Sequence, residues 1–189
     1  MGNGRVGVDA ARRPPFWRRT EVRFLGTFVV LFVALYALAW GGISAIVEHV
    51  FDPWVAGEAS RTAWLLRRLG GDVVAEGAVV GGRVLGDAPF SMVIEHGCEA
   101  IDPLIILVAG VLAFPASWRD RGLGLLVGIA LIVGLNVVRL AVLFLVGEAF
   151  SHETFDLVHR QVASSVMVVL SAAIWLLWAR WTRSPRRKR

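Results

Sequence analysis

Four apolar stretches interrupt an otherwise charged chain, at residues 24–47, 101–118, 122–147 and 161–179. The first carries no charge at all, and the third carries only Arg139. A hydrocarbon layer of about 30 Å needs roughly 20 helical residues to cross it, and in lipid the backbone must satisfy its own amides. The pattern therefore predicts four transmembrane helices. Residues 48–97 are more polar: Asp52 and Pro53 predict an N-cap and first turn, and Gly70 with Gly71 predict the stop. Trp54, Trp64, Leu65 and Leu69 give that short helix an interfacial apolar face. Over residues 72–95, valine-rich runs broken at Gly81 and Gly82 predict a small β-hairpin. The expected fold class is an all-α membrane protein with four transmembrane helices, a short extracytoplasmic helix and a small β-hairpin. The expected layout is a basic N-terminus at 1–23, helix one at 24–47, an extracytoplasmic part at 48–97, a core at 98–181 and a basic tail at 182–189.

Composition agrees with the pattern: of 189 residues 56% are hydrophobic, and the mean hydropathy is +0.63, more than a soluble core of that size requires. The net charge of +5 and the pI near 10.9 do not point to nucleic acid, because the basic residues flank apolar runs. Six arginines precede the first stretch, Arg119 and Arg121 lie between the second and third, and six basic residues close the chain, 14 of 20 in total. The opposite side holds five arginines against 12 acids. That asymmetry predicts two cytoplasmic termini in a multi-pass protein of the inner membrane. The uncharged run of residues 24–47 is long for a signal peptide and reads as a retained helix.

Cys98 is the only cysteine, which excludes an internal disulfide and a CxxC redox pair. A lone thiol serves either packing or chemistry. Asp102 before Pro103 predicts an N-cap with Cys98 just outside the helix, where the helix end favours a thiolate. Counted from the basic side, Cys98 lies about 30 Å, Arg139 about 25 Å and His159 about 31 Å along helical paths. Three useful side chains from three helices thus converge on one outer layer. A membrane arginine is costly, so Arg139 needs a partner, and Asn136 lies one turn earlier on its face. Either Asp102 pairs with Arg139 structurally, or Arg139 serves the thiolate or a developing oxyanion; a shared guanidinium allows both. His159 is either a solvated cap or a catalyst, and His152 competes with it. His96, Cys98, His152 and His159 lack metal-ligand spacing, so neither metal nor cofactor is expected.

The GC at Cys98, the AFP and WRDR around residues 113–121, the LNVVRL carrying Arg139 and the FDLVHRQVA carrying His159 resemble the exosortase and archaeosortase family, most closely the short exosortase H type. The resemblance covers about half the chain. It implies a membrane cysteine protease or transpeptidase acting on exported proteins that end in a short motif, a transmembrane helix and a basic cluster. It also implies Cys98 as nucleophile, Arg139 as the membrane arginine and His159 as the third site residue, to which the reading of the residues adds Asn136 and Asp102 as supporting groups. The released chain then passes to water or to an amine acceptor such as a lipid. The predicted hairpin either holds the substrate motif as an added strand or stabilises an outer lid. The chain departs from the family in its smaller number of helices and in Glu99 and Ala100 after the cysteine. The rival to this reading is a non-enzymatic assembly or transport subunit oriented by an Asp102–Arg139 pair.

Overall fold

Proline and cap positions divide the apolar sequence into helices of very unequal length. A computed structural model describes residues 20–41, 47–85, 89–94 and 97–184. Helix α1 (Thr20–Trp40) is followed, beyond residues 42–46, by a π-helical turn (Val47–Phe51) that runs straight into α2 (Asp52–Arg68). Three strands follow, β1 (Asp72–Glu76), β2 (Val79–Arg83) and β3 (Phe90–Val93). Then come α3 (Ile101–Ala113), α4 (Trp118–Ala149), the short α5 (His152–Leu157), a second π-helical turn (Val158–Ala163) and α6 (Ser164–Thr182).

The protein is mostly helical, and α1, α4 and α6 are the described helices long and apolar enough to cross a membrane. The fourth expected span is not confirmed, because α3 is apolar but shorter. The physical cause is Pro115: the residue before a proline avoids helical conformation, and Phe114 is extended (φ −72°, ψ 137°). The predicted helix 101–118 accordingly stops after 13 residues, about 20 Å. Ser117 takes over as the next cap, accepting the Asp120 N–H at 3.2 Å, so that α4 gains residues 118–121 and reaches 32 residues. The all-α expectation is also amended, because β1, β2 and β3 form an antiparallel sheet in that order, one strand more than the hairpin. Asp52 does not cap α2; Phe51 occupies that position in helical conformation because the π turn continues into the helix.

Two clusters of buried residues divide the molecule along α4. At the sheet end, Leu140, Leu143 and Phe144 of α4 pack against Ala63 and Leu66 of α2 and Val73, Val80 and Met92 of the sheet. At the far end, Ile132 packs with Leu107 and Val111 of α3 and Met167 of α6, flanked by Trp175 and Trp178. Small residues permit the close approach there: a Cβ on Gly110 would lie 2.8 Å from Trp175, and one on Gly124 would lie 2.4 Å from Trp178. Ser171 of α6 donates to the Pro103 carbonyl at 2.7 Å, tying α6 to α3.

The sheet is fixed to the end of α4 by two neighbouring residues. Glu148 accepts the N–H of Val84 at 2.8 and 3.0 Å and that of Leu85 at 3.0 Å. Gly147 makes room for the Phe90 ring, which a Cβ would meet at 2.2 Å. These contacts set where β3 lies relative to α4.

Candidate functional site

The site begins with a tight turn between the sheet and α3. Gly97 takes a left-handed conformation (φ +92°) that glycine adopts without steric cost. Ala100 also turns left-handed (φ +62°), a rare and strained choice for a residue with a Cβ. Ala100 is the N-cap of α3, and its carbonyl accepts the first helical N–H, from Leu104, at 3.1 Å. Asp102 is thus inside the first turn and is not the cap that the Asp102–Pro103 pair predicted. Cys98 sits two residues before the cap, buried to 4% exposure.

Three elements reach this turn. From α4, Asn136 donates to the Cys98 carbonyl at 2.9 Å, and Arg139 approaches the same carbonyl at 3.4 Å and the Cys98 Sγ at 3.8 Å. From the second π turn, His159 Nε2 is in direct hydrogen-bond contact with Cys98 Sγ. From α2, the Trp54 indole N–H donates to the Glu99 carbonyl at 2.9 Å. The structure therefore brings together Cys98, Arg139, His159 and Asn136. It places Asp102 elsewhere, where its carboxylate accepts the Trp40 indole N–H at 3.2 Å. Asp102 and Arg139 thus have separate hydrogen-bond partners, and Glu58 pairs with Arg61.

His159 owes its position to the π turn, a helical form in which the extra residue per turn swings side chains out of the regular register. Its ring is tilted against Phe155 at 5.5 Å, and Phe155 is stacked with His152 at 6.4 Å. His152 lies at the start of α5, after the Ser151 cap, and borders the same cleft as His159. That cleft has a volume of about 510 Å³ and is walled on its other side by β3. It reaches the thiol by way of His159, because Cys98 does not line it.

Glu58 is the residue that sequence reasoning missed. It lies on α2, is fully buried, and accepts from Asn136 Nδ2 at 3.0 Å while pairing with Arg61. Asn136 Oδ1 in turn accepts from Arg139 at 3.2 Å. A continuous chain of hydrogen bonds thus runs from Arg61 through Glu58 and Asn136 to Arg139 and Cys98. A buried amide with all its bonds made has one orientation, so Glu58 fixes which way Asn136 faces Cys98 and Arg139. Burial pushes the Glu58 carboxyl above its usual value of 4.5, opposed by the Asn136 hydrogen bond and by Arg61. The available signal was its spacing, since Glu58, Thr62 and Leu66 recur on one face of α2 and all are buried.

Among the described residues no group of three His, Cys, Asp or Glu side chains could hold a metal ion. His96 and Glu95 lie outside the described residues. No curated protein and no solved structure matches the chain. Residues 16–179, which include the whole Cys98 network, match the family model described as transmembrane exosortase. By that match over most of its length, the chain belongs to the transmembrane exosortase family, of the EpsH type.

Proposed function

We propose that this exosortase is a membrane-embedded cysteine protease or transpeptidase that cleaves the C-terminal sorting tail of exported proteins through a thioester on Cys98. The observation that carries the reading is the contact of Cys98 Sγ with His159, with the Arg139 guanidinium 3.8 Å from the same sulfur. Exosortases are in general cysteine-type transpeptidases or proteases, and a single cysteine in this network is consistent with that.

In the proposed cycle His159 takes the Cys98 proton and the thiolate attacks the scissile carbonyl carbon. The tetrahedral intermediate collapses to a thioester as the C–N bond breaks, and His159 returns the proton to the departing amine. Water or an amine acceptor, for example a lipid amine, then attacks the thioester after giving a proton to His159, which restores the thiol. Arg139 supplies positive charge where the thiolate and the oxyanion develop, and its planar fork also reaches Asn136 and the Cys98 carbonyl. Asn136 and Glu58 position these groups. The substrate tail would add its own helix to the apolar faces of α4 and α6.

The sheet end is assigned to the outer surface of the inner membrane, with both termini in the cytoplasm. The support is the placement of 14 of 20 basic residues on the other side. The test is processing of tail-bearing precursors in the parent cell. Cys98→Ala and His159→Ala are expected to leave the precursors uncleaved in the membrane, at least about a hundredfold down, while His152→Ala, at a residue that borders the cleft away from the sulfur, loses far less. Normal cleavage by a well-expressed Cys98→Ala protein would remove the nucleophile from the scheme.

A further inference from the structure

β3 is the outer strand of its sheet, and its backbone tells which groups remain to be paired. Its register with β2 pairs Met92 with Val80 and Phe90 with Gly82, and Ile94 donates to the Ala78 carbonyl at 2.9 Å. In an antiparallel ladder successive residues alternate between facing the partner strand and facing away. Since Ile94 faces β2, so do Met92 and Phe90, and the N–H and C=O of Ser91 and Val93 point to the open side. Ser91 and Val93, with the rest of β3, line the cleft of about 510 Å³ that Phe155, Asp156, His152 and His159 also bound. The volume is within the roughly 300–1,000 Å³ of clefts that hold ligands.

The direction of the strand matters as much as its edge. Phe90 packs on Gly147 of α4, whereas Cys98, eight residues later, meets Arg139, eight residues earlier on the helix. The chain from β3 thus runs back along α4 toward the thiol, and His159 touches both the cleft and the sulfur. A peptide lying along β3 is led to the reactive pair.

We propose that β3 is the peptide-binding element: an extended stretch of the substrate adds to it as a fourth strand, hydrogen-bonded to the main chain of Ser91 and Val93. Main-chain pairing supplies affinity with little regard to sequence, and alternate side chains of the peptide meet the aromatic floor made by Phe90 and Phe155, whose rings lie 6.1 Å apart. This inference rests on the proposed proteolytic function. It goes further in assigning the recognition to one strand edge, with a fixed two-residue period.

The experiment uses the full-length protein and a reporter whose tail, taken from a cell-surface protein of the same cell, is cleaved only when Cys98 is present. Proline is tolerated on an edge strand where its nitrogen faces outward, so Ser91→Pro and Val93→Pro should fold. Alkylation of Cys98 by N-ethylmaleimide at the wild-type rate reports an intact site. Reporter cleavage is expected to fall tenfold or more in both variants. As a second measurement, a cysteine at position 91 in a Cys98→Ala background is paired with single cysteines along the tail, and disulfide trapping is expected at every second tail position. Cleavage at the wild-type rate by both proline variants, or trapping that is absent or lacks the alternation while wild-type protein still cleaves the reporter, would overturn the strand. A failure of every tail to depend on Cys98 would instead overturn the proteolytic function on which it stands.

Discussion

The two halves of α4 are held by different physics. Toward the far end, residues 118–135 are located mainly by shape: Gly124 accepts the Trp178 indole ring, Leu107 fills the space over Gly128, and Trp178 donates to the Asp120 carbonyl at 3.0 Å. Toward the sheet end, residues 136–148 pack as well but are located in addition by hydrogen bonds, donated by Asn136 and Arg139 to the Cys98 turn and accepted by Glu148 from the sheet. Dispersion contacts in lipid are many and individually weak, so the first half tolerates small adjustments. Buried hydrogen bonds fix angle as well as distance and penalise any loss of a partner. The turn that carries Cys98 has that second kind of support.

The sharpest way to break the comparison is at Glu58. Glu58→Ala removes one of the two acceptors of Asn136 Nδ2 and leaves a buried N–H unmet, a cost of about 3 kcal/mol. The melting temperature in detergent should fall, and Cys98 alkylation should change along with it, because Asn136 is then free to turn. Glu58→Gln separates charge from shape. The folded carboxyl is raised above 4.5, so its contribution to stability is present in full at and below that pH and is lost as pH rises through the folded value. The stability advantage of wild type over Glu58→Gln should therefore be greatest in acid and shrink toward neutral pH. A difference that grows with pH would mean that the carboxylate, not the acid, is the form the fold prefers.

A smaller effect is expected at the shape-held end. Gly124→Ala places a methyl group 2.4 Å from Trp178 Nε1, and that ring is pinned by its hydrogen bond to Asp120. The cost should be about 2 kcal/mol in thermal stability. The alkylation rate of Cys98 in the folded fraction should stay at the wild-type level. A change in thiol reactivity would show that the two halves are coupled after all. Smallest is Ala100→Gly, which relieves the left-handed conformation at φ +62° and should raise stability by no more than about 1 kcal/mol, read as a slight rise in melting temperature.

The same division explains what could be read from the amino-acid sequence. Long apolar runs mark α1, α4 and α6, because lipid demands them, and turn residues mark α2 and the first two strands. The boundary of α3 was legible in principle from Phe114–Pro115, but an uncharged run through Trp118 conceals it. β3 has four residues, too few for alternation to stand out, and its partner strand lies across a loop. Cys98, Arg139 and His159 were singled out by helical depth and by family resemblance. Glu58 was not, because an acid on a short amphipathic helix normally faces water. Its burial depends on Asn136, 78 positions away in the chain. Asp102 shows the opposite difficulty: the sequence offered it as a partner for Arg139, but the Trp40 side chain determines where its carboxylate points.

The shortness of α3 has a geometric consequence for anything that reaches Cys98. Arg139 marks the level of the thiol, and α4 continues beyond it to Ala149, ten residues or about 15 Å. The surrounding helix thus rises well above the turn on which α3 begins. An extended chain covers that depth in four or five residues, whereas a helical one needs ten. For the tail-bearing substrate proposed above, the protein would act as a ruler: the length of non-helical chain ahead of that substrate's membrane helix would decide which peptide bond comes level with the sulfur.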